Sequence, residues 1–325
     1  MADIARQRDD IAFQDDLKAQ EDFRAALVDG LSQQEKFIPC RFLYDMAGSA
    51  LFDRICETPE YYVTRAEVEI LHERASEFAA LAGPDCELIE LGSGSSRKIR
   101  ILLDALCRPH AYVAIDVSRD HLRASAAGIA RKYPGLNVTA LCADYTQPLT
   151  LPDFPQAKQR LAFFPGSTIG NLMPHEAEAL LSLWSAQLGP GAAMLIGVDL
   201  KKDEAVLDAA YNDAAGVTAA FTRNVLVRAN RELGTNFVPG QFEHEARYVA
   251  GEGRMEIHLR SLVRQSVRLD EQVFQFAPGE RVHVEYSYKY TPEEFAGLAR
   301  DAGFVPRAVW TDAAGRFSLH YLEAV

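Results

Sequence analysis

Residues 87–100, ELIELGSGSSRKIR, read as an apolar strand that runs into a two-glycine turn and out into an amphipathic helix. The strand covers 87–91. Gly92 and Gly94 remove the side chains that would hold a ligand off the backbone. Ser95 or Ser96 is placed to cap a helix whose apolar positions Ile99, Ile101, Leu102, Leu103 and Leu106 are spaced to pack on a sheet. Such a unit belongs to a nucleotide-type α/β sheet with its ligand at the carboxyl ends of the strands.

The turn departs from a dinucleotide fingerprint, because Arg97 occupies the position of the third glycine. Glu90, at the edge of the turn, is unfavourable for two phosphates and favourable for a cationic amino acid or a sulfonium. S-Adenosyl-L-methionine (SAM) therefore fits, and a nicotinamide dinucleotide does not. A second apolar strand, 112–115, ends at Asp116, about 20 residues past the turn, where a carboxylate accepts from ribose hydroxyls. A third strand, 136–142, is followed by Asp144, which can accept from an adenine amino group. Any one of these acids could be an ordinary surface residue of a βα loop. Three in register with a G-x-G turn form a ladder along one sheet edge.

The remaining elements continue the alternation. A helix at 119–132, a strand at 160–164, a helix starting near Pro174 and His175, and a strand at 192–198 give a doubly wound, mostly parallel, Rossmann-like α/β sheet. From about 201 the alternation stops. A helical stretch, 204–233, precedes apolar-polar runs at 242–249, 254–262, 266–274 and 281–290, expected as antiparallel strands of a smaller α+β domain with one wet face. A capped helix in TPEEFAGLARDAGF and a strand pair in VPRAVWTDAAGRFSLHYLEA then return to the sheet. Upstream, a helix is expected over 21–32. The aromatic segment 38–65, with several exposed-looking tyrosines, suggests a lid.

At 325 residues the chain has room for one large domain with an insertion, or for two. The expected division is 62–200 with 291–325 for the cofactor, 20–61 with 201–290 for substrate and lid, and 1–19 as a flexible N-terminus. A net charge of -12 argues against nucleic acid or an anionic membrane as partner, which leaves a small molecule. The five cysteines form no C-x-x-C pair and read as reduced thiols of a cytoplasmic protein. No run of about 18 apolar residues suggests a membrane span, and the charged first residues do not resemble a signal peptide. A monomer is expected. The eight histidines show no metal-binding spacing, so no metal is expected.

Five motifs carry a resemblance: Y-D-x-x-G-S-x-L-F-D at 44–53, P-E-Y-Y-x-T-R at 59–65, E-L-G-S-G-S-S-x-K at 90–98, G-S-T-I-G-N at 166–171 and Y-x-D-A-A-G-V-T-A-A-F at 211–221. Together they resemble the histidine-specific N-alpha-methyltransferases of ergothioneine biosynthesis, over most of the chain after about residue 35. The resemblance implies a class I SAM-dependent enzyme that methylates the α-amino group of L-histidine three times, giving hercynine. Carried over residue by residue, it implies cofactor contacts from Tyr44, Gly92, Lys98, Asp116, Asp144 and Tyr145, beside Glu90 and Gly94 of the turn. Asn171 and Tyr211 would hold the amino acid's backbone groups and, with Tyr44, form the catalytic set. Tyr61, Glu285 and Ser287 would bind the imidazole. Ile257 stands where the pattern has methionine, which implies a reshaped apolar wall rather than a different substrate.

The chemistry is consistent with those residue types. Methyl transfer needs a neutral amine aligned behind the sulfonium carbon, so the enzyme contributes positioning and desolvation. An amide and a phenol, Asn171 and Tyr211, can grip the substrate without adding a charge, while Glu285 and Ser287 suit the two ring nitrogens. Tyrosine faces such as Tyr44 tolerate the growing quaternary ammonium through cation–π attraction. Alternatives are N-methylation of tryptophan or tyrosine, since Ile257 borders the pocket, a noncatalytic SAM-binding protein, and a nicotinamide dehydrogenase. Bland readings also exist: a solvent-facing Glu285 and Ser287, an Asn171 that satisfies turn amides, and packing tyrosines.

Overall fold

Alternating apolar strands and amphipathic helices form a layered sheet in the computed structural model, which describes residues 11–17, 23–94 and 96–325. In chain order the strands are β1 (Ala12–Asp15), β2 (Glu87–Leu91), β3 (Ala111–Asp116), β4 (Asn137–Cys142), β5 (Arg160–Phe164), β6 (Ala193–Asp199), β7 (Phe242–Val249), β8 (Arg254–Ser261), β9 (Gln265–Leu269), β10 (Gln272–Phe276), β11 (Arg281–Tyr288), β12 (Phe304–Thr311) and β13 (Phe317–Ala324). The α-helices are α1 (Phe23–Ser32), α2 (Met46–Glu57), α3 (Val63–Glu73), α4 (Ala75–Ala82), α5 (Arg97–Ala105), α6 (Arg119–Lys132), α7 (Pro174–Leu188), α8 (Glu204–Tyr211), α9 (Val217–Leu233) and α10 (Pro292–Asp301).

The large sheet has the order β1-β4-β3-β2-β5-β6-β13-β12. Its pairs are parallel except where β13 runs antiparallel to β6 and β12. Side chains alternate between two helical layers, as a doubly wound sheet requires. Leu88, Tyr112, Ala114 and Phe163 face α3 to α6, and Ile89, Val113, Ile115 and Phe164 face α7 and α10. The chain winds outward from β2 through β3 to β4, then jumps back to β5 beside β2. That reversal opens a crevice at the carboxyl ends of β2 and β5, where ligands of such sheets bind.

A three-stranded antiparallel sheet, β11-β8-β7, forms the second layer system. Alternate residues of β8, Met255, Ile257 and Leu259, are buried in the cluster that holds Phe221, Val225 and Leu226 of α9. Among the described residues no helix is long and apolar enough to cross a membrane.

The fold class and the order of the sheet elements match the sequence reading, and five details differ. The helical stretch 204–233 is two helices. Gly216 adopts φ +70° between them, and Asp213 caps the second by accepting from the Val217 and Thr218 amides, each at 2.8 Å. The run 266–274 is a hairpin of β9 and β10 turning at Asp270, φ 53°. Ser96 stands at the N-cap of α5 without bonding its amides, because its hydroxyl pairs with Ser125 at 2.6 Å; Ser95 lies outside the described residues. Within the N-terminus expected to be flexible, Ala12–Asp15 add an edge strand to β4, while 1–10 and 18–22 lie outside the described residues. Finally, Tyr61 and Tyr62 of the aromatic segment are buried, not exposed, whereas Tyr44 is exposed as expected. That segment is pinned at Asp45, whose carboxylate accepts from Asn224 and Arg231 of α9 at 2.7 and 2.6 Å.

Candidate active site

The adjacency of β4, β3 and β2 brings Glu90, Asp116 and Asp144 to one edge of the sheet. Glu90 is buried and accepts from the Tyr112 hydroxyl at 2.5 Å. Burial pushes its carboxyl up to about 7 against the pull of Tyr112, Ser93 and Lys98. Burial likewise pushes Asp116 up to about 6, although it accepts the Ser118 N–H at 2.8 Å. Asp144 accepts from the Thr146 amide and hydroxyl at 2.9 and 2.7 Å.

Gly92 turns the chain at φ +74°, a conformation that costs a side chain, and a Cβ there would lie 3.8 Å from the Tyr145 ring. Tyr145 packs edge-on against Phe164, ring centres 5.5 Å apart, with its carbonyl fixed by the Trp184 indole at 2.9 Å. Gly94 faces open space. The Lys98 ammonium is engaged by the buried Glu67 at 2.5 Å. Two shielded acids, a bare glycine turn and an aromatic face, with the nearby lysine already paired, fit a cationic, hydroxyl-bearing adenosyl ligand such as SAM, whose charge favours the ionised form of both acids.

On the other side of the crevice, an unbroken series of aromatic contacts joins tyrosines that are far apart in sequence. Tyr44 meets Phe52 and Phe221 at 5.6 and 5.2 Å, Phe52 meets Tyr61 at 6.2 Å, and Tyr61 meets Tyr211 at 6.3 Å. Tyr211 ends α8 and shares a 2.8 Å hydrogen bond with Ser287 of β11. Glu285 lies two residues earlier on the same strand, beside a bulge and opposite Ile257 of β8. Its side chain makes no hydrogen bond among the described residues, and burial pushes its carboxyl up to about 7 despite Lys289. Asn171 ends the short turn Thr168–Asn171 after β5, which lies so close to β11 that a Cβ on Gly170 would stand 2.7 Å from the Tyr288 carbonyl oxygen. The structure thus gathers Tyr44, Tyr61, Tyr211, Ile257, Glu285 and Ser287 on one side of the crevice.

Beneath that side lies an ionic cluster absent from the sequence reading. Lys289 and Asp199, both fully buried, pair at 2.7 Å. Lys289 also donates to Tyr211 and Ser287, each at 2.8 Å. Asp199 further accepts from Tyr62 at 2.8 Å and Lys202 at 2.6 Å. Burial opposes the Asp199 charge, but the two lysines hold its carboxyl below the ordinary range. Burial pulls Lys202 down to about 8. Glu67 was missed too; it receives the Gly166 N–H at 3.0 Å and ties the 166–171 turn to Lys98. A signal existed for two of these. Asp199 is a fourth acid at a strand end on the same sheet edge, and Lys289 shares the face of Glu285 and Ser287 by the two-residue period.

A family model described as histidine-specific methyltransferase, SAM-dependent, matches residues 23–324. The chain is 43% identical over 307 residues to a histidine N-alpha-methyltransferase of Mycolicibacterium smegmatis, covering 93% of this chain and 94% of that one. It is 42% identical over 301 residues to the Mycobacterium tuberculosis protein of the same name, covering 91% and 93%. Ergothioneine biosynthesis protein 1 of Neurospora crassa is 33% identical over 292 residues, which span 88% of this chain and 33% of the fungal one.

Proposed function

The chain belongs to the SAM-dependent, histidine-specific methyltransferases, and from that membership we propose that it trimethylates the α-amino group of L-histidine to hercynine in ergothioneine biosynthesis, a reading supported by relatives named histidine N-alpha-methyltransferase and ergothioneine biosynthesis protein 1. The observation that carries the choice of histidine is Glu285. A shielded carboxyl with no hydrogen bond among the described residues, two residues from a hydroxyl on the same strand face, suits a ring with polar nitrogens at both ends. An indole has one N–H and no ring acceptor, and a phenol has a single hydroxyl, so neither engages both Glu285 and Ser287 as a two-nitrogen ring does.

When bound, SAM supplies an electrophilic methyl group. Glu90, Gly92, Gly94, Asp116, Asp144, Tyr145 and Tyr44 would hold it, and Lys98 supports that side through Glu67. Asn171 and Tyr211 hold the backbone groups of the amino acid so that its neutral amine points into the crevice. Tyr61, Glu285 and Ser287 grip the imidazole against the Ile257 wall. The faces of Tyr44, Phe52 and Phe221 accept the quaternary ammonium, so mono- and dimethylhistidine remain substrates. In this reading 62–200 with 291–325 bind the cofactor, with Tyr44 reaching in from the other unit, and 20–61 with 201–290 bind the acceptor, with Asn171 reaching in from the first, in a cytoplasmic monomer.

Incubation of the purified protein with SAM and a panel of amino acids, read by mass spectrometry, tests the assignment. Three methyl groups on histidine are expected. Three on tryptophan or tyrosine and none on histidine would refute it.

A further inference from the structure

Lys289 has three N–H donors, and all three are spent: on Asp199 at 2.7 Å, Tyr211 at 2.8 Å and Ser287 at 2.8 Å. The two hydroxyl oxygens each accept from the same ammonium and lie 2.8 Å from each other. Two hydroxyl protons remain, and one must fill the Tyr211–Ser287 hydrogen bond, since two facing protons or two facing lone pairs would repel. One O–H is left for a ligand. If Tyr211 donates outward, Ser287 donates to Tyr211 and offers only a lone pair; if Ser287 donates outward, Tyr211 offers the lone pair.

Lys289 can impose this arrangement because its charge is fixed. Burial opposes the ammonium, but Asp199 and the Tyr211 phenol outweigh burial and hold it above the ordinary lysine range. Asp199 in turn is fastened by Tyr62 and Lys202, so the anchor does not depend on Lys289 alone. The cluster of two lysines and one carboxylate carries net positive charge next to the end of the site where a substrate carboxylate would lie.

Resting on the histidine reading above, we propose that Lys289, anchored by Asp199, is a positioning residue that wires Tyr211 and Ser287 into a one-proton relay. Donation by Tyr211 to the substrate carboxylate turns Ser287 into an acceptor for an imidazole N–H. Recognition of the two ends of the amino acid is thereby coupled through a group that touches neither. Glu285 faces the other ring nitrogen, and since Ser287 takes the N–H of a neutral ring, its carboxyl carries the proton that this nitrogen accepts, so the ring is read in one orientation.

The test is a cycle of Tyr211→Phe, Ser287→Ala and the double variant, read as kcat/KM for histidine, in the native and the Lys289→Met backgrounds. Tyr211→Phe frees the Ser287 proton and leaves it facing the imidazole N–H, a mismatch that Ser287→Ala removes. The double variant is therefore expected to keep about tenfold more activity than the product of the single losses. In Lys289→Met this coupling should fall below about twofold, while SAM affinity by calorimetry stays within about twofold of native. Multiplicative losses in the native background overturn the relay, as does a loss of SAM affinity in Lys289→Met equal to the loss for histidine. The native-background cycle leaves Lys289 in place, so it decides even where Lys289→Met does not fold. Native protein that leaves histidine unmethylated overturns the functional reading with the relay, whereas methylation with multiplicative losses overturns the relay alone.

Discussion

Tyr112 reaches across from β3 to donate its hydroxyl to the Glu90 carboxyl at 2.5 Å, so the acid that ends β2 is held by its neighbouring strand. The carboxyl sits at about 7, raised first by burial, and a cationic ligand binds better when it is ionised. SAM affinity should therefore rise with pH through about 7 in the native protein. Tyr112→Phe removes a hydrogen bond to the charged form, worth about 1.5–3 kcal/mol, and should move that rise to higher pH. Glu90→Gln should flatten it. Calorimetric titrations between pH 6 and about 8.5 measure all three, and a flat native profile would remove Glu90 from the cofactor site.

The same raised carboxyl shapes the stability of the ligand-free protein. Its ordinary value is 4.5 and its folded value about 7, so the folded state binds the proton more tightly across that window. Stability then falls as pH rises from about 4.5 to 7, with a ceiling of roughly 3 kcal/mol for one group. Glu90→Gln should lose that part of the slope in urea unfolding followed across this range. An unchanged slope would contradict the assignment.

Glu67 joins three elements: it sits on α3, pairs with Lys98 of α5 at 2.5 Å and receives the Gly166 amide at 3.0 Å. Glu67→Ala strands a mostly buried ammonium and an N–H donor together, and a loss of about 3–5 kcal/mol is expected in denaturant unfolding. Turnover should fall as well, because the loosened turn carries Asn171. Full activity in a destabilised Glu67→Ala would show that the turn holds its shape without this tie.

Much of this was legible in the chain because it is periodic. Strand β5 and helix α6 fall where the pattern places them, and the acid ladder follows from strands that all end at the same edge. The break at Gly216 was hidden because the same helical period runs on both sides of it, although Asp213 ahead of a glycine is a readable cap. The Asp199–Lys289 pair was harder. A lysine in an alternating strand reads as a solvated residue, and its partner lies 90 positions away on an element of another sheet. Tyr211 and Ser287 were found only through resemblance; their hydrogen bond depends on how α8 meets β11, which no local pattern encodes.

Glu285 offers a cleaner separation of substrate from cofactor. Its carboxyl, pushed up to about 7 by burial, has no hydrogen bond among the described residues, so its removal should cost little stability. Glu285→Ala should raise the KM for histidine about 100-fold, the scale of a buried ring nitrogen left without its donor, with the KM for SAM near native. In the native enzyme the histidine KM should also gain a rising limb as pH climbs above about 7, where the Glu285 carboxyl loses the proton it donates to the ring, and Glu285→Gln should flatten that limb. Equal losses for histidine and SAM would contradict an imidazole role.

Two glycines separate packing from ligand access. A Cβ on Gly170 would meet the Tyr288 carbonyl oxygen at 2.7 Å, and a backbone atom of a paired strand cannot step aside as a flexible side chain would. Gly170→Ala must therefore push the 166–171 turn off β11, costing about 1–3 kcal/mol and displacing Asn171 with it. Gly94 has nothing within 4 Å of the equivalent position, so Gly94→Ala should leave the unfolding transition in place. If the turn approaches the bound cofactor as proposed, the same methyl group should still weaken SAM binding by about tenfold or more. Thermal unfolding and calorimetry on the two variants give opposite patterns: Gly170→Ala loses stability and turnover, and Gly94→Ala loses cofactor affinity alone. Native SAM affinity in Gly94→Ala would move the cofactor away from the glycine turn.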